Sequence, residues 1–330
     1  MGLHVQRDWE DTKMIPTGDS PFNGIYPSTP CPLLPDLSFD ETTFAALLRR
    51  LADTDGIVGF LVNGHAGENF LFSLDEQRRI VETAGAAVGD RAIIVAGVNC
   101  ESSLEAARHA RDLEASGADV IMVFPPNGWA LFQDDETALE HHRRILESTT
   151  CPIMLFQGSV SAGRMAYTPG VLERLAALPR VVAIKEGSWE VAAYEQTRRV
   201  VTAVAPHVAV MASGDEHLFT GYAIGSEGSL VSLAAVIPEP VVALYRAMQS
   251  QDLSAARAQH ERIYPLARAI YRAAPGGRAN ARLKTCLKIL ERFRSDVMRP
   301  PYGATPEAEY AVLRDALRAS GALAHAVAAK

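Results

Sequence analysis

The sequence predicts an α/β protein, a single (β/α)8 TIM barrel with a C-terminal helical region, and three observations carry that prediction. Eight short β-rich runs recur along the chain: GIYPSTP from Gly24, IVGFLVN from Ile57, AIIVAGV from Ala92, VIMVFPP from Val120, PIMLFQG from Pro152, VVAIKEG from Val181, VAVMASG from Val208 and EGSLVSL from Glu227. The runs are nearly continuously apolar, as expected of parallel strands covered on both faces. Their starts (24, 57, 92, 120, 152, 181, 208, 227) lie 27 to 35 residues apart except for the last interval of 19, so the helix before strand eight is short. Helical spacing fills the intervals, and neither GxGxxG nor GxxxxGK(S/T) follows the early strands, against a doubly wound nucleotide-binding sheet. The expected organisation is an N-terminal arm over 1–20, the barrel over 21–236, and helices packed on it over 237–330.

The elements justify themselves in order. Asp40 or Ser38 can cap a first helix that places Phe44, Leu47, Leu48 and Leu51 on one face. Ser73 with Glu76 three residues on is a capping box for the second. After Ile237 the strands stop and helical spacing continues through Ile263, Leu266, Ala267 and Ile270, then Leu283, Leu287 and Leu290. His141 and His142 lie among Glu140, Arg143 and Arg144, which predicts a solvated helix surface.

Composition narrows the function classes. Lys plus Arg is 32 against 39 Asp plus Glu, a formal charge of −7, which argues against a nucleic-acid partner. No run approaches the length of a membrane span and no apolar segment follows the charged N-terminus, so a cytoplasmic protein is expected. Cys31, Cys100, Cys151 and Cys286 are widely spaced with no CxxC and read as free, reduced thiols.

In a barrel the active site lies at the C-terminal ends of the strands. Those ends supply Thr29; Asn63, Gly64, His65, Ala66, Gly67 and Glu68; Asn99; Asn127 and Trp129; Phe156 and Gln157; Lys185 and Glu186; Ser213, Gly214 and Asp215; and Ser229 and Ser232. Lys185 is the most informative, one of five lysines in the chain and the interruption of VVAIKEG. Burial lowers a lysine pKa toward the range where the amine is a nucleophile, and such an amine forms an iminium with a ketone. The plainer alternative is a structural lysine paired with Glu186 or Asp215. Glu186, next along the strand, faces the other way.

His65, in GHAGE, is the acid–base candidate because an unperturbed imidazole titrates near neutrality; an exposed turn histidine is the alternative. Glu68 could hold that loop through backbone N–H groups. Asp215, His217, Glu186 and His65 match no strong metal motif, so no metal is expected. Phe124, Trp129, Phe132 and Phe156 imply an apolar rim.

From about Phe22 to Arg294 these strand-end motifs, in their order, resemble the dihydrodipicolinate synthase and N-acetylneuraminate lyase family of pyruvate-type class I lyases. Gly64, Gly67 and Glu68 stand in the family's Gly-Thr-Thr-Gly-Glu loop, and IKEGS carries its Schiff-base lysine at Lys185. Ser213, Gly214 and Asp215 resemble its Ser-Gly-Asp, and Gly225 to Ser232 its strand-eight segment. The resemblance implies a covalent imine at Lys185, no cofactor, and a homotetramer or homodimer.

Departures from the family pattern bear on the substrate. The two family threonines that hold the pyruvate carboxylate are His65 and Ala66, and the strand-five tyrosine that handles protons is Phe156, whose ring has neither acid nor base function. The second relay tyrosine falls near Pro126 or Asn127, and the carboxylate-binding arginine near Ser161, with Arg164 close by. Dihydrodipicolinate synthesis itself is therefore not expected. The expectation is an aldolase or hydratase–aldolase acting on a 2-oxo acid or related small carbonyl compound, with His65 or a water held by Gln157 moving the proton. Two alternatives stand beside it: a dehydratase of a 2-oxo-3-deoxy sugar acid using the same iminium, and a non-catalytic barrel that binds a carbonyl metabolite.

Overall fold

The computed structural model describes residues 20–131 and 134–323; the N-terminal arm, Phe132 and the last seven residues lie outside the described residues. Eight parallel strands are present: β1 (Ile25–Pro27), β2 (Gly59–Val62), β3 (Ile93–Val98), β4 (Val120–Val123), β5 (Ile153–Gln157), β6 (Val181–Glu186), β7 (Ala209–Ala212) and β8 (Ser229–Val231). They pair in the order β1-β8-β7-β6-β5-β4-β3-β2, and the bridges Ile25↔Ile57 and Ser28↔Leu61 join β1 to β2 and close the ring. Around it run α1 (Glu41–Ala52), α2 (Leu74–Val88), α3 (Ser103–Ala115), α4 (Asp135–Ser148), α5 (Pro169–Ala176), α6 (Val191–Val204), α7 (Leu218–Ile224) and α8 (Leu233–Val236). The C-terminal helices are α9 (Pro238–Gln249), α10 (Leu253–Tyr271), α11 (Ala279–Ile289) and α12 (Glu307–Ala319). The seven-residue α7 accounts for the short last strand interval.

The capping chemistry read from the sequence forms as drawn. The Thr43 N–H donates to the Asp40 carboxylate at 3.0 Å, and Ser73 and Glu76 make a reciprocal box at the start of α2. Strand alternation then separates two apolar layers. Tyr26, Leu61, Val95, Met122, Met154 and Met211 fill the lumen, while Phe60, Ile94, Ile121, Leu155 and Val210 pack under the helices. At Gly59 an added Cβ would lie 2.0 Å from the Tyr26 ring, so only glycine leaves room for that side chain in the lumen.

One irregularity orients the mouth of the barrel. Between β5 and β6 the register shifts: Ile153 pairs with Val181, but Met154 pairs with Ala183, leaving Val182 as an extra residue. Beyond the shift Phe156 pairs with Lys185 and Gln157 with Glu186. Lys185 thereby continues the lumen face set by Ala183, and Glu186 continues the outer face set by Ile184.

His141 and His142 correct the sequence-based expectation of a solvated surface: each is only 1% exposed. Their neighbours Glu140, Arg143 and Arg144 occupy the outer face of α4, while the two imidazoles fall on its packed face. Ser103 bonds His141 Nδ1 at 2.9 Å, and Tyr167 Oη lies 3.2 Å from His142 Nε2. All four cysteines are buried and unpaired. Among the described residues no helix is long and apolar enough to cross a membrane.

The C-terminal helices hold the loop after β2, the loop that carries His65. From α11, Asn280 Nδ2 donates to the His65 carbonyl at 2.7 Å, and one turn later Lys284 Nζ lies 2.6 Å from Glu68 Oε1. Arg299 donates to the Leu71 carbonyl at 2.8 Å and pairs with Glu76. Both side chains of the Lys284–Glu68 pair are out of solvent, and Glu68 adopts φ 57°, a left-handed conformation uncommon for a non-glycine residue.

Two predictions follow from burial. Lys284→Met strands the Glu68 charge and costs about 3–5 kcal/mol of stability, whereas Arg78→Ala, breaking the exposed Arg78–Asp75 pair, costs at most about 1 kcal/mol. Urea unfolding measures both, and equal costs would contradict the assignment. Burial also pushes His141 from its ordinary 6.5 down to about 3. The unfolded chain therefore binds the extra proton as pH falls below 6.5, so His141's contribution is fully present above that value and is lost toward 3. His141→Gln should flatten the acid-side fall of the thermal midpoint relative to the unsubstituted protein; parallel curves would contradict this.

Candidate active site

At the C-terminal end of β6, Lys185 is buried at the mouth of the lumen, 8% exposed. Burial pushes its ammonium down to about 8 from an ordinary 10.5, opposed by the negative charge of Asp215. One side of the amine is aromatic, with Nζ 5.6 Å from the centre of the Phe156 ring. Phe156 packs on Phe124 at 4.8 Å between ring centres, and His65 stacks on Phe124 at 4.3 Å and meets Phe156 edge-on at 5.4 Å. Three rings from the ends of β2, β4 and β5 thus form one wall beside the lysine.

That wall corrects the expectation of a near-neutral imidazole. Burial, and secondarily the Lys185 charge, push His65 down to about 4. Near pH 7 the ring is neutral: it is a poor proton donor, and because burial makes its charged form costly, any proton it accepts is held only in passing. Gly64 and Ala66 flank it in the loop, and Ala66 is buried. An added Cβ at Gly64 would lie 2.8 Å from Leu61 Cδ2, which keeps this turn tight against β2.

The opposite side of the mouth is polar. Asp215, in the loop after β7, is 3% exposed, and its Oδ1 accepts from the Leu233 N–H at 2.7 Å and the Tyr271 hydroxyl at 3.1 Å. Burial pushes its carboxyl up to about 6, partly offset by those two donors and by Lys185. Ser232 Oγ lies 2.6 Å from Tyr271 Oη. Ser213 and Gly214 precede Asp215 on the same loop, with Ser213 buried.

Three expected substrate contacts lie elsewhere, each for a physical reason. Gln157 falls on the outer face of β5, and its amide is committed to the Tyr167 backbone, donating to the carbonyl at 3.0 Å and accepting from the N–H at 2.9 Å. It is a brace for the loop after β5 rather than a holder of water at the lysine. Trp129 packs in the outer layer, edge-on to His141 at 5.4 Å. Asn127 is exposed, and Glu101 binds its N–H and that of Gly128 at 2.9 and 2.8 Å. Arg164 is likewise exposed. Of the expected aromatic rim, Phe124 and Phe156 reach the mouth.

Glu186 faces outward, as expected of the residue after Lys185, and accepts from the Ser188 hydroxyl at 3.0 Å. Burial pushes its carboxyl up to about 7. It lines a small open cavity with Trp189, Tyr194, Ser213 and His217. This cavity lies outside the strand wall, between α6 and α7, and Lys185 does not line it. Among the described residues no cluster of three or more His, Cys, Asp or Glu side chains could hold a metal ion.

The groups missed from sequence come from the C-terminal helices: Tyr271 ends α10, and Asn280 and Lys284 lie on α11. Tyr271 directly follows the apolar stripe ending at Ile270. Lys284 interrupts LKTCL much as Lys185 interrupts its own run, the one signal that could have flagged it.

Comparison with known proteins places the chain in one family. The model of the dihydrodipicolinate synthetase family matches residues 21–320. A 4-hydroxy-tetrahydrodipicolinate synthase of Streptomyces coelicolor is 31% identical over 238 residues, 71% of this chain and 75% of that protein. An uncharacterized DapA-like lyase of Halobacterium salinarum is 29% identical over 304 residues, covering 91% of this chain and 95% of its own. Among solved structures, the prophage protein YagE of E. coli K12, determined in complex with pyruvate, superposes with a TM-score of 0.84 at 23% identity, covering 91% of this chain and 99% of its own. The chain belongs to the dihydrodipicolinate synthetase family.

Proposed function

We propose that this protein is a Schiff-base lyase, an aldolase or hydratase–aldolase that acts on a 2-oxo acid or related carbonyl compound through Lys185. The observation that carries the proposal is the burial of the Lys185 amine at the mouth of the barrel, which brings its pKa down to about 8 and leaves a useful fraction of neutral amine near pH 7. The family membership and the pyruvate held by YagE support a pyruvate-type head group. The amine adds to the carbonyl and water leaves, giving an iminium; the bond between its α- and β-carbons then breaks, its electrons forming an enamine while the β-hydroxyl gives up its proton and departs as an aldehyde. No cofactor takes part in this scheme.

Dihydrodipicolinate synthesis itself is not the proposed reaction. Phe156 stands beside the lysine where the family resemblance implies a tyrosine, and a phenyl ring moves no protons. His65, held neutral against Phe124, is the proposed acceptor of the proton released on bond cleavage. The three-ring wall favours a partner aldehyde with an apolar body over a polyhydroxylated one, and so favours the aldolase side over dehydration of a sugar acid. The loss of the hydroxyl at Phe156 also favours a second reading, a barrel that binds a carbonyl metabolite without turning it over.

Borohydride reduction in the presence of pyruvate should trap an adduct on the peptide carrying Lys185, read by mass spectrometry, and Lys185→Arg should abolish both the adduct and turnover. An adduct without turnover of any aldol would favour the binding barrel; turnover retained in Lys185→Arg would sink the iminium scheme. His65→Asn should keep the trapped adduct while turnover falls by about 10²–10⁴-fold. Turnover at the native rate would remove His65 from the proton path.

A further inference from the structure

Tyr271 is the last residue of α10, a helix outside the eight-stranded ring, yet its hydroxyl reaches the mouth of the barrel. It lies between Ser232 Oγ at 2.6 Å and Asp215 Oδ1 at 3.1 Å, and its ring packs on Trp189 at 5.2 Å between centres. Trp189 is itself held at φ 63°, a conformation costly for a bulky side chain, and the Arg272 guanidinium lies over its ring, 5.8 Å from the centre. The phenol is therefore fixed on three sides. Against a carboxylate it can only donate, since burial and the Asp215 charge raise its own pKa well above 10.

The recipient of that bond stands beside the lysine strand: β7 pairs with β6 so that Lys185 lies opposite Met211 and Glu186 opposite Ala212, and Asp215 follows three residues after β7, where its charge reaches Lys185. Asp215 has two donors, the Leu233 N–H and the Tyr271 hydroxyl, and both favour its ionised form against the burial that opposes it. The other titratable groups facing these residues are His65 toward Lys185, Tyr222 of α7 toward Asp215, and Cys286 of α11 toward Tyr271. All three are neutral near pH 7: His65 is pushed down to about 4, and burial pushes the Tyr222 phenol and the Cys286 thiol well up.

We propose that Tyr271 is a positioning residue that holds Asp215 as the carboxylate countering the positive charge on Lys185, first the ammonium and then the iminium formed from it. The inference rests on Lys185 being the reactive amine. An iminium keeps its charge at every pH, so a fixed carboxylate stabilises it relative to free amine and ketone, and a neutral carboxylic acid does not. Tyr271 touches no reacting atom and acts through Asp215 alone. In this arrangement a C-terminal helix, rather than a strand end, sets the charge balance at the lysine.

Trace acetylation of the full chain with acetic anhydride across pH 6–11, read peptide by peptide, gives the titration midpoint of Lys185 without any carbonyl substrate. Asp215→Asn should lower that midpoint by about one pH unit or more. Tyr271→Phe should lower it in the same direction by less, and the double variant should match Asp215→Asn alone, because Tyr271 has no other route to the lysine. Ser232→Ala, which keeps the tyrosine and its ring packing, should give a smaller shift of the same sign and stands in if Tyr271→Phe does not fold. An unchanged or raised midpoint in folded Tyr271→Phe, or strictly additive shifts in the double variant, would overturn the proposal. Borohydride trapping on the same proteins keeps the two ideas apart: no trapping in the unsubstituted protein counts against the lyase, whereas normal trapping with an unmoved midpoint counts against Tyr271.

Discussion

Taking the Lys185 ammonium out of water is unfavourable, and the mouth of the barrel is arranged around the partial compensation for it. Asp215 supplies the opposing charge, and it is itself buried and carries a raised pKa. Neither group reaches a neutral compromise alone. The lysine loses its proton more readily than a free amine, and the aspartate loses its own less readily than a free acid, so their titrations approach each other. The lumen below is apolar, packed with the buried side chains of Met122, Met154 and Met211, and offers neither group a polar partner.

The two sides of the mouth divide the remaining work. His65, Phe124 and Phe156 form an aromatic side, three packed rings beside the amine with the imidazole held neutral. Asp215, Tyr271 and Ser232 form a hydrogen-bonded side that carries charge. Both sides are anchored from outside the ring: Asn280 and Lys284 grip the His65 loop, and Tyr271 grips the Asp215 loop. The helices after β8 are in this sense part of the site, and the buried Lys284–Glu68 pair fixes the geometry of the aromatic side even though it stands outside the chemistry.

The barrel was legible because apolar runs and helical spacing are local signals, and Asp40 and the Ser73–Glu76 box marked helix starts through hydrogen bonds that span three residues. Lys185 was legible for the same reason, a charged residue inside an apolar run. His141 and His142 were not, since the charges beside them described the outer face of α4 and said nothing of the inner one. Gln157 and Trp129 were misplaced because proximity to a strand end does not say which side of the wall a side chain takes. Tyr271 was hidden more deeply: its bond to Asp215 spans 56 residues, and no local pattern encodes a contact made when a late helix folds back over the ring.

The extra residue in β6 settles more than pairing. Counted as an unbroken pleat from Val181, whose side chain lies under the helices, strand six would turn Lys185 outward and Glu186 inward. Val182 absorbs one step, and the parity of everything after it is reversed. Two adjacent residues of opposite charge thus compete for a single seat in the lumen, and the extra residue three positions before Lys185 decides which one takes it. That the barrel presents an amine at its mouth is in that respect a property of backbone phase, since the same strand, with equal composition, could have offered an acid.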